Sequence, residues 1–292
     1  MGIEFIIHGD YRHGTTIMWW LYKLEYPEAI HLYEPLHPDL FNILSKWTRG
    51  KEYPLHKLPV LDDYFDLPKQ ILDEMKKYHK DFTNVFDPNE VFPYLDVINR
   101  WSNMVNRKIF LQPNRMHFIL TDVAKKYNCP CIHIVRNPCD VFLSYFPKSL
   151  TENEQLIRAI IEGRVHESVY AGAFYLPVRY KAISERYGFK VPENDWLAKF
   201  AVVWSIGNGE AVKAVWKYEK GTVVYYEDVC MIPLMEFKRI AEITGIRPPL
   251  RFINLLRRDR IGKYPKWLMN EFLKRIEEYS LEQFLKGWFI YS

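Results

Sequence analysis

Residues 3–24 constrain this chain more than any other stretch. Ile3 to Ile7 is a run of β-branched and aromatic residues, Gly9 and Gly14 bracket a short polar segment, and Thr15 to Leu24 has the length and apolar content of a buried helix. The first run predicts a buried strand. A strand that passes through a glycine-bounded loop straight into a helix brings backbone N–H groups and the positive end of the helix dipole to one point, which suits an anion. The competing reading is a tight strand-to-helix turn that binds nothing.

The loop has the spacing of a P-loop, Gly-x-x-x-x-Gly-[Lys]-[Ser/Thr], with Thr15 where the lysine stands. Without that lysine the loop lacks the ammonium that reaches the β- and γ-phosphates of a nucleoside triphosphate. Arg12, inside the loop, supplies a cation from another direction. The segment is therefore built for an anion rather than for ATP hydrolysis.

Further short strands follow in Ala29–Tyr33, Lys108–Gln112, Cys131–Val135 and Thr222–Tyr226. Helices are expected over Pro68–His79, Asn89–Val105, Asn114–Tyr127, Pro138–Tyr145, much of 151–218 including Trp196–Trp216, and Ile232–Thr244. Apolar strands alternating with helices predict an α/β fold with a central parallel β-sheet flanked by helices, of the P-loop nucleotide-binding type. Strands recur as far as residue 226, so the 292 residues are expected to form a single domain. Segments 35–107 and 150–190 carry no readable chemistry and are expected to be insertions or a lid on the acceptor side.

A net charge of +4 is modest for this length and argues against a dedicated nucleic-acid binder. Aromatic residues make up 16%, enough for a large core and for stacking surfaces in a cleft. No run approaches the ~18 apolar residues of a membrane span. The first strand starts almost at residue 1, leaving no room for a signal peptide, so a cytoplasmic protein is expected. Cys129, Cys131, Cys139 and Cys230 lack redox or zinc spacing and are expected to be buried thiols.

A second anion-binding element is legible in Val135-Arg136-Asn137-Pro138-Cys139-Asp140-Val141-Phe142-Leu143-Ser144-Tyr145. A buried strand ends at Arg136, Pro138 suits the start of a helix, and Ser144 falls two turns on. An arginine at the carboxyl edge of a sheet and a hydroxyl on the next helix can grip one phosphate. The plain alternative is a strand-to-helix junction with a surface arginine.

Together these segments resemble the sulfotransferases that use 3′-phosphoadenosine 5′-phosphosulfate (PAPS). Tyr11-Arg12-His13-Gly14-Thr15-Thr16 resembles their 5′-phosphosulfate loop, Pro-(Lys/Arg)-Ser-Gly-Thr-Thr, with Tyr11 replacing proline and His13 replacing serine. The segment from Arg136 to Tyr145 is similar to their 3′-phosphate motif, Arg-(Asn/Asp)-Pro-x-Asp-Val-x-x-Ser-Tyr. Tyr226-Glu227-Asp228-Val229 resembles the family's Tyr-Glu-Asp-Leu strand end, and Arg260-Ile261-Gly262-Lys263-Tyr264 its C-terminal Arg-Lys-Gly or Gly-Lys-Trp loop. The resemblance implies that Arg12, His13, Gly14, Thr15 and Thr16 hold the 5′ end of PAPS. It likewise assigns Arg136 and Ser144, with Arg260, Gly262 and Lys263, to the 3′-phosphate, and implies no metal. Other members of the basic C-terminal cluster, Arg247, Arg251, Arg257 and Arg258, read as a solvated face.

Sulfuryl transfer needs a held donor, a base for the acceptor hydroxyl, and a cation on the leaving phosphate. Arg12 fits the last role. Glu34, before Pro35 at the end of the second strand, resembles the glutamate-proline segment of carbohydrate sulfotransferases and lies near where tyrosylprotein sulfotransferases place a catalytic glutamate. His117 is the rival base, in the region where cytosolic sulfotransferases place a histidine, although Leu111-Gln112-Pro113-Asn114 replaces their Lys-x-His-x-Pro. Glu34 is the preferred base. The expected partner is a small-molecule, carbohydrate or other hydroxyl acceptor. A P-loop kinase and a non-catalytic nucleotide-binding module are the alternatives.

Overall fold

The computed structural model describes residues 2–53, 57–164, 176–256 and 258–286. The chain falls into two compact units, residues 1–135 with 211–256 and residues 136–210 with 257–292.

The first unit is built on β1 (Ile3–Gly9), whose Phe5, Ile6 and Ile7 are wholly buried. Helix α1 (Thr15–Glu25) follows, burying Thr15, Met18, Trp19, Tyr22 and their neighbours at the three- and four-residue spacing of one helical face. Tyr26-Pro27 ends it, since proline cannot continue a helix. Strand β2 (Ile30–Tyr33) stops at Glu34, whose φ of 45° is left-handed, and at Pro35. Between β2 and the next strand lie α2 (Leu40–Ser45), α3 (Lys69–Tyr78) and α4 (Phe92–Val105). The expected helix from Asn89 is a 3-10 turn over Pro88–Glu90 before α4 begins.

Strand β3 (Ile109–Gln112) leads to α5 (Leu120–Tyr127), six residues later than the expected start at Asn114. The reason is polar. Asn114, Arg115 and His117 are buried in side-chain contacts and the Met116 N–H donates to His8, so 113–119 runs as turns. Strand β4 (Cys131–Val135) closes this part of the chain.

Chain segments of the second unit follow: α6 (Pro138–Ser144), α7 (Lys148–Thr151), α8 (Glu154–Ile161), α9 (Leu176–Tyr187) and the first part of α10 (Trp196–Val215). Back in the first unit come β5 (Gly221–Tyr225), α11 (Tyr226–Met231) and α12 (Pro233–Thr244). Tyr226-Glu227-Asp228, expected as a strand end, opens a helix instead. Helices α13 (Lys266–Glu278) and α14 (Glu282–Leu285) complete the second unit. Its core is aromatic: Phe200 meets Phe142 at 5.3 Å and Phe272 at 6.1 Å between ring centroids, and Trp204 meets Phe272 at 5.6 Å.

The five strands form one parallel sheet in the order β2-β3-β1-β4-β5, as the alternation of strands and helices predicts. From β1 the chain runs to one side of the sheet and from β4 to the other. The carboxyl ends of β1 and β4 therefore flank a topological switch point, where open α/β sheets bind ligands. All four cysteines are buried free thiols, and burial pushes Cys129 up to about 12. Among the described residues no helix is long and apolar enough to cross a membrane.

Candidate functional site

The loop between β1 and α1 sits at that switch point. Gly9 is required by close approach: a Cβ there would lie 2.8 Å from the Thr15 methyl and 2.9 Å from the Ile134 carbonyl. Gly14 is required twice over, by its φ of 89° and because a Cβ would lie 2.2 Å from the Tyr226 ring. Arg12, at φ 66°, takes a left-handed conformation that costs a residue with a Cβ roughly 1–2 kcal/mol. The chain thus holds strain at the cation of its loop, a usual place for it. Asp10 ties the loop by accepting the Tyr11 N–H at 2.6 Å and, through its carbonyl, the His13 N–H at 3.2 Å.

Helix α1 starts at Gly14 with no side-chain cap and no acidic residue in its first turn. Its orphan N–H groups and dipole therefore favour an anion. His13 is buried, and its Nδ1–H donates to the Ile134 carbonyl at 2.9 Å, since a carbonyl can only accept. In the phosphosulfate-loop pattern a serine occupies this position; here an imidazole pins the loop to β4.

Glu34 lies at the end of β2, 9% exposed. Asn114 Nδ2 donates to its Oε1 at 2.8 Å, Arg115 Nη1 stands 3.7 Å from its Oε2, and the Tyr33 hydroxyl hydrogen-bonds to it. Burial raises its pKa to about 7, although the hydrogen bonds from Tyr33 and Asn114 and the charge of Arg12 pull it down. A carboxyl poised near neutrality is matched to general-base work. It is also joined to the loop. Asn114 Oδ1 accepts from the Thr15 hydroxyl at 3.2 Å, and the Tyr33 hydroxyl lies 3.0 Å from that of Thr16.

His117 stands in the turns before α5, not on the expected helix, and is 2% exposed. Its Nε2 is 3.8 Å from Asp10 Oδ2 and its ring meets His8 edge-on at 4.6 Å. His8 and His133, register partners in β1 and β4, share a 2.8 Å Nδ1–Nδ1 hydrogen bond. The Met116 N–H must donate to His8 Nε2, so the His8 hydrogen sits on Nδ1 and His133 Nδ1 accepts it. Burial first, then the neighbouring histidines, hold the His8 pKa well below its usual value. The loop therefore rests on a layer of buried imidazole. Arg12, His13, Gly14, Thr15, Thr16, Glu34 and His117 are brought together in this first unit.

Arg136, Ser144, Gly262 and Lys263 belong to the second unit. Asn137 caps α6 by accepting the Cys139 N–H at 2.9 Å, and its amide donates to the Tyr264 hydroxyl at 3.0 Å. Asp140 accepts the N–H groups of Gly262 and Lys263 at 2.8 and 3.0 Å. Those two amides are thus spent on a carboxylate, which leaves the exposed Lys263 side chain as the loop's contribution toward an anion. The Ser144 hydroxyl donates to the Val141 carbonyl at 2.7 Å and must turn its proton outward to reach a phosphate. Arg257 and the Arg260 side chain lie outside the described residues. Arg247 and Arg251 pair with Glu25 at 2.7 and 3.3 Å, a structural use in keeping with the expectation.

Sequence reasoning missed Tyr33, Asn114 and Arg115 around Glu34, and the His8–His133 pair. The pair did leave a signal, a histidine in each of two largely apolar strands. Arg115, 3% exposed with its guanidinium 4.9 Å from the Tyr11 ring centroid, left none.

No protein-family profile matches the chain. An uncharacterized protein of Archaeoglobus fulgidus is 33% identical over 303 residues, covering 96% of this chain and 95% of that protein. Among solved structures, the chain is similar to the sulfotransferase STF1 of Mycobacterium tuberculosis H37Rv, with a TM-score of 0.46 and 12% identity over 94% of this chain and 77% of that one. It is similar also to the sulfotransferase domain from the curacin biosynthetic pathway, with a TM-score of 0.42 and 12% identity over 100% and 93% of the two chains. Mouse sulfotransferase SULT7A1 complexed with PAP gives a TM-score of 0.42 and 13% identity over 98% and 89%.

Proposed function

The chain belongs to one family with the Archaeoglobus fulgidus protein, and we propose that it is a PAPS-dependent sulfotransferase acting on a hydroxyl of its acceptor. The observation that carries this reading is Glu34: a buried carboxyl with a pKa near 7, hydrogen-bonded through Asn114 to the threonine that opens α1. An anion loop and a base wired to each other are what transfer to a hydroxyl requires. Bound PAPS would supply the sulfuryl group, carried on a 5′-phosphate.

The residues present fit an anionic donor. The uncapped start of α1, the tight loop allowed by Gly9 and Gly14, and the Arg12 cation would hold its 5′ end. Arg136 and Ser144, with the side chains of Arg260 and Lys263, would hold the 3′-phosphate. Glu34 takes the acceptor's hydroxyl proton, and Arg12 stabilises charge gathering on the departing phosphate oxygen. Preorganised electrostatics of this kind supply most of the rate in such transfers. Glu34 is preferred to His117 because His117 is packed among His8, His133 and Asp10.

Thr15 in the lysine position separates this reading from a kinase. Adenosine 3′,5′-bisphosphate should raise the melting temperature of the protein, as a ligand specific to the folded state must, and ATP with magnesium should do clearly less. Equal stabilisation by the two would refute the assignment.

A further inference from the structure

Two hydrogen-bond paths lead from the first two residues of α1 to Glu34. In one, the Thr15 hydroxyl donates to Asn114 Oδ1 and Asn114 Nδ2 donates to Glu34 Oε1. That amide orientation is forced, because the carbonyl end turned toward the Glu34 oxygen would set acceptor against acceptor. In the other, the Tyr33 hydroxyl bonds both Thr16 and Glu34. A carboxylate only accepts, so Tyr33 donates to Glu34 and accepts from Thr16. Both threonines therefore spend their single hydroxyl proton on a path that ends at the same carboxyl.

An anion docked at the start of α1 competes for those protons. Once Thr15 and Thr16 turn toward it, Tyr33 loses the Thr16 donor and Asn114 keeps only Gln112, whose Nε2 also donates to its Oδ1. Both become weaker donors to Glu34, since hydrogen bonds in a chain strengthen one another. The anion's own charge acts in the same direction. Resting on the reading of the loop as the donor site and Glu34 as the base, we propose that anion binding at the loop is coupled to proton uptake by Glu34, with Tyr33 and Asn114 as the positioning residues that transmit it. Filling the donor site thereby makes the base more basic before the acceptor is attacked.

The other charged and titratable groups facing Glu34 do not blur this. Arg12 of the loop and Arg115 of the turn after β3 are guanidinium ions at any relevant pH. Tyr33, and Tyr64 of the 3-10 turn Asp62–Asp66, are held neutral by burial, which raises both well above their usual values. Glu34 alone among these changes charge near pH 7.

The test is calorimetric titration of the full chain with adenosine 3′,5′-bisphosphate at pH 7, in HEPES and in imidazole, which differ in ionisation enthalpy and so count protons. The ligand's own phosphates titrate nearby, so the informative quantity is the difference between wild type and Glu34→Gln. A rise in the Glu34 midpoint of half to one unit from about 7 gives wild type roughly a quarter to two-fifths of a proton more uptake than the variant. Tyr33→Phe and Asn114→Leu should still bind but lose half or more of that excess, which a merely structural role would leave in place. If Glu34→Gln does not fold, those two variants carry the same comparison. Binding with equal proton counts in all proteins would overturn the coupling and leave the functional reading standing; no binding by the wild type would overturn both.

Discussion

Glu34→Gln tests the central claim without any knowledge of the acceptor. The folded protein raises the Glu34 pKa to about 7 from an ordinary value of 4.5, chiefly by burying it. Each pKa unit corresponds to ~1.4 kcal/mol, so the gap is worth on the order of 3 kcal/mol. Its sign follows from proton counts. Below pH 4.5 the carboxyl is protonated in both the folded and unfolded chain and costs nothing. Between 4.5 and 7 only the folded state keeps the proton, so the contribution is lost as pH rises, and above 7 the loss is complete. Glutamine has the same shape and no proton to lose. The variant should therefore gain about 3 kcal/mol on the wild type between pH 4.5 and pH 8, or roughly 5–7 °C in Tm for a chain of this size. Paired thermal melts at the two pH values give the double difference, in which all other groups cancel. A difference of zero, or one in which the wild type gains, would show that Arg12 and Arg115 compensate the burial in full. Glu34 would then titrate like a surface carboxylate, and the argument for it as base would lose its physical basis.

Glu34→Gln should also lower kcat by ~10²–10⁴-fold once an acceptor is in hand, and the wild-type acid limb of kcat, which reports the donor-loaded enzyme, should lie about half to one unit above pH 7, as steady-state rates across pH would show. Gly14→Ala should destabilise the protein by roughly 2 kcal/mol or more from backbone strain and its collision with the Tyr226 ring; in the Tyr226→Ala background denaturant melts should show only the strain remaining. Arg136→Ala should weaken adenosine 3′,5′-bisphosphate by about 2 kcal/mol in direct titration and hardly affect adenosine 5′-phosphate; equal losses would make the arginine structural. In Asp140→Asn the amides of Gly262 and Lys263 lose a charged acceptor, so hydrogen exchange should quicken there and leave α13 unchanged.

The sheet was legible because its strands are apolar on both faces: β1, β2, β3 and β4 fall within about two residues of where composition and turn residues place them. The loop was legible because glycine is the residue that close approach and left-handed backbone demand. Failures occurred where tertiary contacts outweigh local pattern. Asn114 to Ile119 has a helical sequence, yet its polar side chains and the Met116 amide find buried partners that only a folded sheet provides. Tyr226 reads as the end of a strand, but its ring is needed against Gly14 and the chain turns helical there. Asn114 itself could not be foreseen. Its importance lies in reaching Glu34 from 80 residues away, a distance that no pattern along the chain encodes.

The strand order has a consequence for the birth of the molecule. β1 leaves the ribosome before the rest of the sheet, and both its partners, β3 and β4, begin more than a hundred residues later. At ~5–20 residues per second the cell spends about 5–20 s synthesising that stretch. Throughout it, a seven-residue ribbon of mostly apolar side chains and unmatched backbone groups stands open to any other strand edge nearby. The candidate anion loop is thus founded on the part of the chain with the longest wait for company, and recovery of active protein from a producing cell should rise when a holdase is supplied.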